Sequence, residues 1–111
     1  MSADSSVADR YLADVRAGRL DALGLLFEQY RDRLWRMLHL RLDARLTGRL
    51  SPEDVLQEAY LDVSRRIHEY LAEASVPFYV WLRFLTLQRL VQLQRSHLGA
   101  ARRDVAREQS L

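Results

Sequence analysis

Residues 51–61, Ser-Pro-Glu-Asp-Val-Leu-Gln-Glu-Ala-Tyr-Leu, constrain this chain more than any other stretch. They open a helix and divide it into two faces. Ser51 is a good N-cap, and Pro52 falls at the first helical position, where its missing N–H costs nothing. Glu53 and Asp54 set negative charge on the positive end of the helix dipole. Asp54 follows Ser51 by three, the spacing of a capping box. At about 100° per residue, Leu56, Ala59, Tyr60, Val63, Ile67 and Tyr70 form one apolar stripe, while Asp54, Gln57, Glu58 and Leu61 share the opposite side. A chain that starts a helix this firmly, and buries one side of it, needs other helices to cover the stripe.

The rest of the sequence supplies them. A first helix is expected over residues 7–17, capped by Ser5 or Ser6, with Ala8, Tyr11, Leu12 and Val15 on one side. Gly18 suits its C-terminal stop. A second runs over residues 20–46, where Leu23, Phe27, Tyr30, Leu34, Met37 or Leu38, and Leu42 recur every three or four positions, and Thr47-Gly48 ends it. The third covers residues 52–72 and forms a hairpin with the second. Pro77 turns Val76 away from helix and starts a fourth, extending at least to residue 96. Residues 97–100, His-Leu-Gly-Ala, are an expected fraying point. No strand pattern or repeat is visible. The expected fold is an all-α bundle of three main helices, a long hairpin plus the fourth-segment helix, with a short N-terminal helix.

The fourth helix is apolar on two sides. Phe78, Leu82, Leu85 and Leu93 lie on one, and Val80, Phe84, Leu87 and Val91 on another. Either the helix is central, packed on the hairpin and on the first helix, or the second set meets another domain or chain. Trp81, Gln88, Gln92 and Arg95 occupy a narrow sector between these faces.

The 111 residues fit one domain, and 49% hydrophobic with 29% charged residues describe a folded chain. There is no cysteine, no signal-peptide pattern and no apolar run near the roughly 18 residues that span a bilayer, which fits the cytoplasm and no membrane partner. The net charge of +2 conceals segregation. Residues 31–49 carry six arginines against two aspartates, residues 51–73 carry six carboxylates against two arginines, and residues 83–107 carry six arginines against one aspartate. An acidic helix between basic segments suggests two different partners, one a nucleic acid. Catalysis has no candidate group. His39, His68 and His97 fit no metal-ligand spacing, and the four glycines form no phosphate loop, so neither a cofactor nor enzymatic activity is expected.

The order Asp54-x-x-Gln57-Glu58-x-Tyr60-Leu61 resembles the D-x-x-Q-E-x-F/Y-L signature of region two of the extracytoplasmic-function sigma factors of bacterial RNA polymerase. A second match, Phe78-Tyr79-Val80-Trp81-Leu82 followed by Arg95, comes at the right distance, and the resemblance covers residues 8–111. It implies a transcription initiation factor domain. Asp54, Gln57, Glu58 and Leu61 would hold the clamp coiled coil of core RNA polymerase. Promoter DNA, as the melted single-stranded non-template strand of the minus-ten element, would lie against Arg66, Tyr70, Ser75, Trp81, Gln88, Gln92 and Arg95. Trp81 is equally suited to core packing. The family also implies an anti-sigma factor as a partner. Residues 1–6 would be disordered, residues 7–97 would form the domain, and residues 98–111 would begin a linker toward a region-four domain that is absent. The chain departs from the family at Leu85-Thr86-Leu87-Gln88, where Ile-Ala-x-Asn is frequent, at Gln92, where Asp is frequent, and in a longer 73–77 connection. The alternative is a non-enzymatic helical interaction module, or a regulator that kept the bundle and lost DNA binding.

Overall fold

The computed structural model describes residues 3–73 and 75–110, with side chains described over 6–73 and 75–109. Four helices follow one another: α1 (Ala3–Arg16), α2 (Ala22–Arg41), α3 (Pro52–Glu73) and α4 (Phe78–Ser110), with a 3₁₀ turn at Ala44–Leu46 between α2 and α3. The architecture is the expected all-α bundle, with no strand among the described residues. No helix among them is long and apolar enough to cross a membrane.

Local chemistry sets most of the boundaries. At the end of α1, the Arg19 N–H donates to the Asp14 carbonyl at 2.9 Å and the Gly18 N–H to the Val15 carbonyl at 3.0 Å. This pair closes the helix through a left-handed residue, and Gly18 takes that position at φ 91° without a Cβ penalty. The start of α1 differs from expectation. Residues 3–6 are helical rather than disordered, so positions 5 and 6 lie inside the helix and not at its cap, while Met1 and Ser2 lie outside the described residues.

The second helix is shorter than its apolar period suggests. It stops at Arg41, and Leu42 turns extended at ψ 134°. Asp43 is the reason: its carboxylate accepts from the Arg45 N–H at 2.9 Å, which offers the backbone a local partner in place of the helix ladder. The Arg45 guanidinium closes on the same carboxylate at 2.7 Å. That bond holds the Asp43 carboxyl down at about 2, below the usual carboxylate range.

The core lies between α2, α3 and α4. Leu26, Leu34 and Leu38 of α2, Val63 and Ile67 of α3, and Leu82 and Leu85 of α4 are all buried to within 1%. Each such side chain contributes roughly 1.5–3 kcal/mol relative to exposure. The expected α3 stripe is buried, except that Tyr60 is half-buried. Val55, outside the stripe, is also fully buried, because α3 is covered by α2 on one side and α4 on the other. Across that second contact Arg89 donates to Asp62 in a two-pronged pair, its Nε at 2.7 Å from Oδ2. The carboxylate raises the Arg89 pKa further.

The fourth helix corrects two expectations. It passes through residues 97–100 without a break and reaches Ser110, so the described part of the expected linker is helix. It is also not central. Phe78, Leu82 and Leu85 face the core, but Val80, Phe84 and Val91 are 50%, 56% and 43% exposed. The first helix packs chiefly on α2 and leaves that side of α4 bare.

Candidate functional site

The outward face of α3 begins at its cap. The Ser51 N–H donates to Asp54 Oδ2 at 2.9 Å, and the Asp54 N–H donates to Ser51 Oγ at 3.2 Å. The capping box is therefore closed by an aspartate, and it fixes the first turn of the helix. Gln57 is exposed, Glu58 is half-buried, and Leu61 is 40% exposed. These four residues share one solvent-facing side, but they do not converge. Gln57 borders a groove of about 340 Å³ between α2 and α3, together with Phe27, Glu28, Arg31, Glu53 and Tyr60. Asp54, Glu58 and Leu61 do not line that groove.

The α2 wall of this groove was not legible in the sequence, because periodicity gives each helix a face but not the partner of that face. Gly24 is the contact that sets the approach: a Cβ there would stand 3.3 Å from the Tyr60 hydroxyl. Phe27 meets the Tyr60 ring edge-on at 5.1 Å. Glu53 is not a free carboxylate. The Trp35 indole N–H donates to it at 2.6 Å and lowers its pKa, and Trp35 in turn stacks on His39 at 4.9 Å.

A second site forms where α3 ends. The Tyr70 hydroxyl donates to the Val76 carbonyl at 2.7 Å, tying the connection down onto the helix before it. The Pro77 carbonyl then accepts from the Val80 and Trp81 N–H groups and starts α4. Beneath lies an aromatic cluster: Tyr70 against Trp81 at 4.9 Å and against Phe78 at 5.7 Å, with Tyr30 of α2 against Phe78 at 6.0 Å. Burial raises the Tyr30 pKa, helped by the Asp9 carboxylate.

Above this cluster Arg66, Tyr70, Ser75 and Trp81 open onto one pocket of about 190 Å³. Its volume is below the ~300 Å³ at which pockets enclose drug-sized ligands, so it takes a single ring-sized group. Trp81 serves both of its expected roles, packed in the cluster and bordering the pocket. The charge balance is not that of a phosphate site. Arg66 pairs with Glu69 at 3.1 Å, and Glu73 stands on the same rim. A neutral, planar, hydrogen-bonding ligand fits better than an anion.

The remaining three expected residues lie elsewhere. Gln88, Gln92 and Arg95 border a shallow patch with Phe84, Leu87 and Val91 further along α4. At 1.5 Å per residue, Arg95 stands about 21 Å along the helix from Trp81. The predicted DNA-binding set is thus a pocket plus a separate strip on one helix. Part of the basic charge read from residues 83–107 is also neutralised, since Arg89 is held by Asp62.

A third concavity, of about 440 Å³, involves no residue singled out beforehand except Arg95. Arg45, Leu98, Arg102 and Val105 complete it. It exists because the turn after α2 folds against α4, where the Asp43 N–H donates to Gln94 Oε1 at 2.7 Å. Nothing local in the sequence signals that bond. Among the described residues no group of three or more histidine or carboxylate side chains is placed to hold a metal ion.

Comparisons with protein-family models, with curated proteins and with solved structures found no match to this chain.

Proposed function

We propose that the chain is a transcription initiation domain of the region-two kind, working in the cytoplasm. On this reading the outward side of α3 binds the clamp coiled coil of core RNA polymerase through Asp54, Gln57, Glu58 and Leu61. The melted non-template strand of the minus-ten element lies against the α3–α4 pocket and the α4 strip. The observation that carries the reading is the pocket: Tyr70 pins the connection so that Ser75, Trp81 and Arg66 surround a space for one planar group beside stacked aromatics. Opening duplex DNA costs on the order of 1.4 kcal/mol per base step, and a protein offsets this by stacking and hydrogen-bonding the bases released. Exposed Gln88, Gln92 and Arg95 supply amides and a cation along the same helix.

The test uses a labelled single-stranded minus-ten oligonucleotide, titrated with the chain in the presence and absence of core polymerase. Truncating charged partners in an interface costs ~2–5 kcal/mol. A Gln57→Ala, Glu58→Ala variant should therefore lose retention on polymerase by about thirtyfold or more. A Gln92→Ala, Arg95→Ala variant should keep polymerase and lose the oligonucleotide. If both variants behave as the parent, the reading is wrong.

A second reading, a helical protein-interaction module without DNA binding, is favoured by one observation, the bare apolar side of α4.

A further inference from the structure

The apolar residues that α4 leaves exposed or half-buried outside its core face are not scattered. Val80, Phe84, Leu87, Val91, Leu98 and Val105 follow one another by alternate steps of four and three, once positions 94 and 101 are counted in. A strict period of 3.5 is the pattern of a seam between two helices, and here it continues for about 38 Å along one helix. Single exposed apolar residues are ordinary on any surface, whereas a continuous line of them marks an interaction surface. Val80, Phe84, Val91 and Val105 turn outward along this line, while Leu87 and Leu98 are half-buried and also touch the core. Phe84, at 56% exposed, is its most prominent ring, and Val105, at 51%, is bare near the far end.

Neither of the two intermediate positions adds an exposed apolar side chain. Ala101 is small, and Gln94 is engaged by the Asp43 N–H of the 3₁₀ turn. The seam is therefore an open strip from Val80 to Val91, and beyond Gln94 it becomes the groove walled by Arg45.

The edges of the seam identify what covers it. Arg95 and Arg102 follow one edge, Arg83 the other, and Arg45 overhangs the groove. Among the described residues no ion pair engages Arg83, Arg95 or Arg102. The described part of α4 carries two carboxylates, Glu108 and Asp104, and Asp104 already faces Arg49 at 4.0 Å. A second copy of this chain would bring the same arginine edges with no surplus of carboxylates to meet them. We infer that the α4 seam is a docking surface for an amphipathic helix of another protein, with apolar residues at seam spacing and carboxylates on both flanks. The seam overlaps the proposed DNA strip at Arg95, and Phe84, Leu87 and Val91 share that patch, whereas Val80, Leu98 and Val105 lie outside the DNA set; the probes below contain no nucleic acid, so they test the seam without that function.

The test uses the whole chain and two synthetic probes of about four heptads, both with leucine at the seam positions. One probe carries glutamate on the flanks and its twin carries lysine. Binding is read by fluorescence anisotropy at low and high salt. The acidic probe should bind at least about tenfold more tightly than the basic one, and the difference should shrink as salt screens it. Phe84→Glu should weaken the acidic probe about tenfold or more, with helicity checked by circular dichroism. An Arg95→Glu, Arg102→Glu variant keeps the apolar line intact and should bring the basic probe level or ahead. Equal binding of both probes, binding of neither, or indifference to both variants overturns the inference. So does sedimentation equilibrium that finds the parent chain dimeric and Phe84→Glu monomeric, because the seam would then be covered by a second copy.

Discussion

Tyr70→Phe separates two roles for one residue. The ring is 5% exposed and sits between Phe78 and Trp81, so the substitution keeps the packing and removes only the hydroxyl. What is lost is the 2.7 Å bond to the Val76 carbonyl. A net hydrogen bond contributes about 0.5–1.5 kcal/mol, and the upper end applies where the abandoned partner is left dry. Val76 is 40% exposed, so water can reach the freed carbonyl and the cost falls to about 0.5–1 kcal/mol. For a chain of this length that lowers Tm by about 2–4 °C. In urea the midpoint should fall with an unchanged slope. Exchange of the Val80 and Trp81 amides, which donate to the Pro77 carbonyl at the end of the connection, should quicken by ~2–5-fold. Affinity for the single-stranded oligonucleotide should drop as well, since Tyr70 both pins the connection and lines the pocket. A loss above about 2 kcal/mol would mean that the ring has repacked. Unchanged stability with unchanged exchange would show that the hydroxyl does not hold the connection, and the account of the pocket would fail with it.

Three further outcomes are expected. Asp62→Ala removes one partner of the α3–α4 pair, whose side chains are 18% and 25% exposed; partial solvation reduces the ~3–5 kcal/mol of a fully buried case to about 1–2 kcal/mol, measurable by urea denaturation. Ser51→Ala breaks the capping box and should cost about 1 kcal/mol, and Ser51→Gly less, an ordering that thermal melts would check. The Asp43 carboxyl titrates at about 2 in the folded chain against ~3.9 unfolded, so its contribution to stability is complete above about pH 4 and fades as pH falls toward 2. Asp43→Asn should flatten that acid limb, and a side-chain NMR titration of Asp43 with its midpoint near 4 would contradict the assignment.

Where a boundary or a face is set by residues close in sequence, it could be read before the structure. Ser51 and Asp54 announced α3, Gly18 announced the end of α1, and the 3.6-residue period of α3 named its buried side. Where the cause is distant, the reading failed. Leu42 continues the apolar rhythm of α2, yet the helix ends before it: the local Asp43–Arg45 bond competes with that rhythm, and the distant Gln94, which accepts from the Asp43 N–H, holds the turn in place. Gly99 lies in the expected fraying point, but Leu98 precedes it and Ala100, Ala101 and Arg102 follow, and their helix propensity offsets the roughly 1 kcal/mol that a glycine costs. For the candidate site, residue types and helix sectors were legible. The separation of Trp81 from Arg95, the glutamates on the pocket rim and the α2 wall beside Gln57 were not, since each depends on how two elements meet.

The continuation of α4 to Ser110 has a hydrodynamic consequence. A helix of 33 residues is about 50 Å long, and it stretches the molecule to 59 × 27 × 23 Å. The radius of gyration is 17.0 Å, against about 13 Å for a compact chain of this length. Gel filtration reports frictional size, not mass. Elongation raises friction much less than it raises the radius of gyration, so a 13.0 kDa monomer of this shape will elute only somewhat ahead of compact standards of its own mass. A small forward shift on a column is therefore the mark of the long helix and not of a second copy, and light scattering or sedimentation equilibrium gives the mass directly.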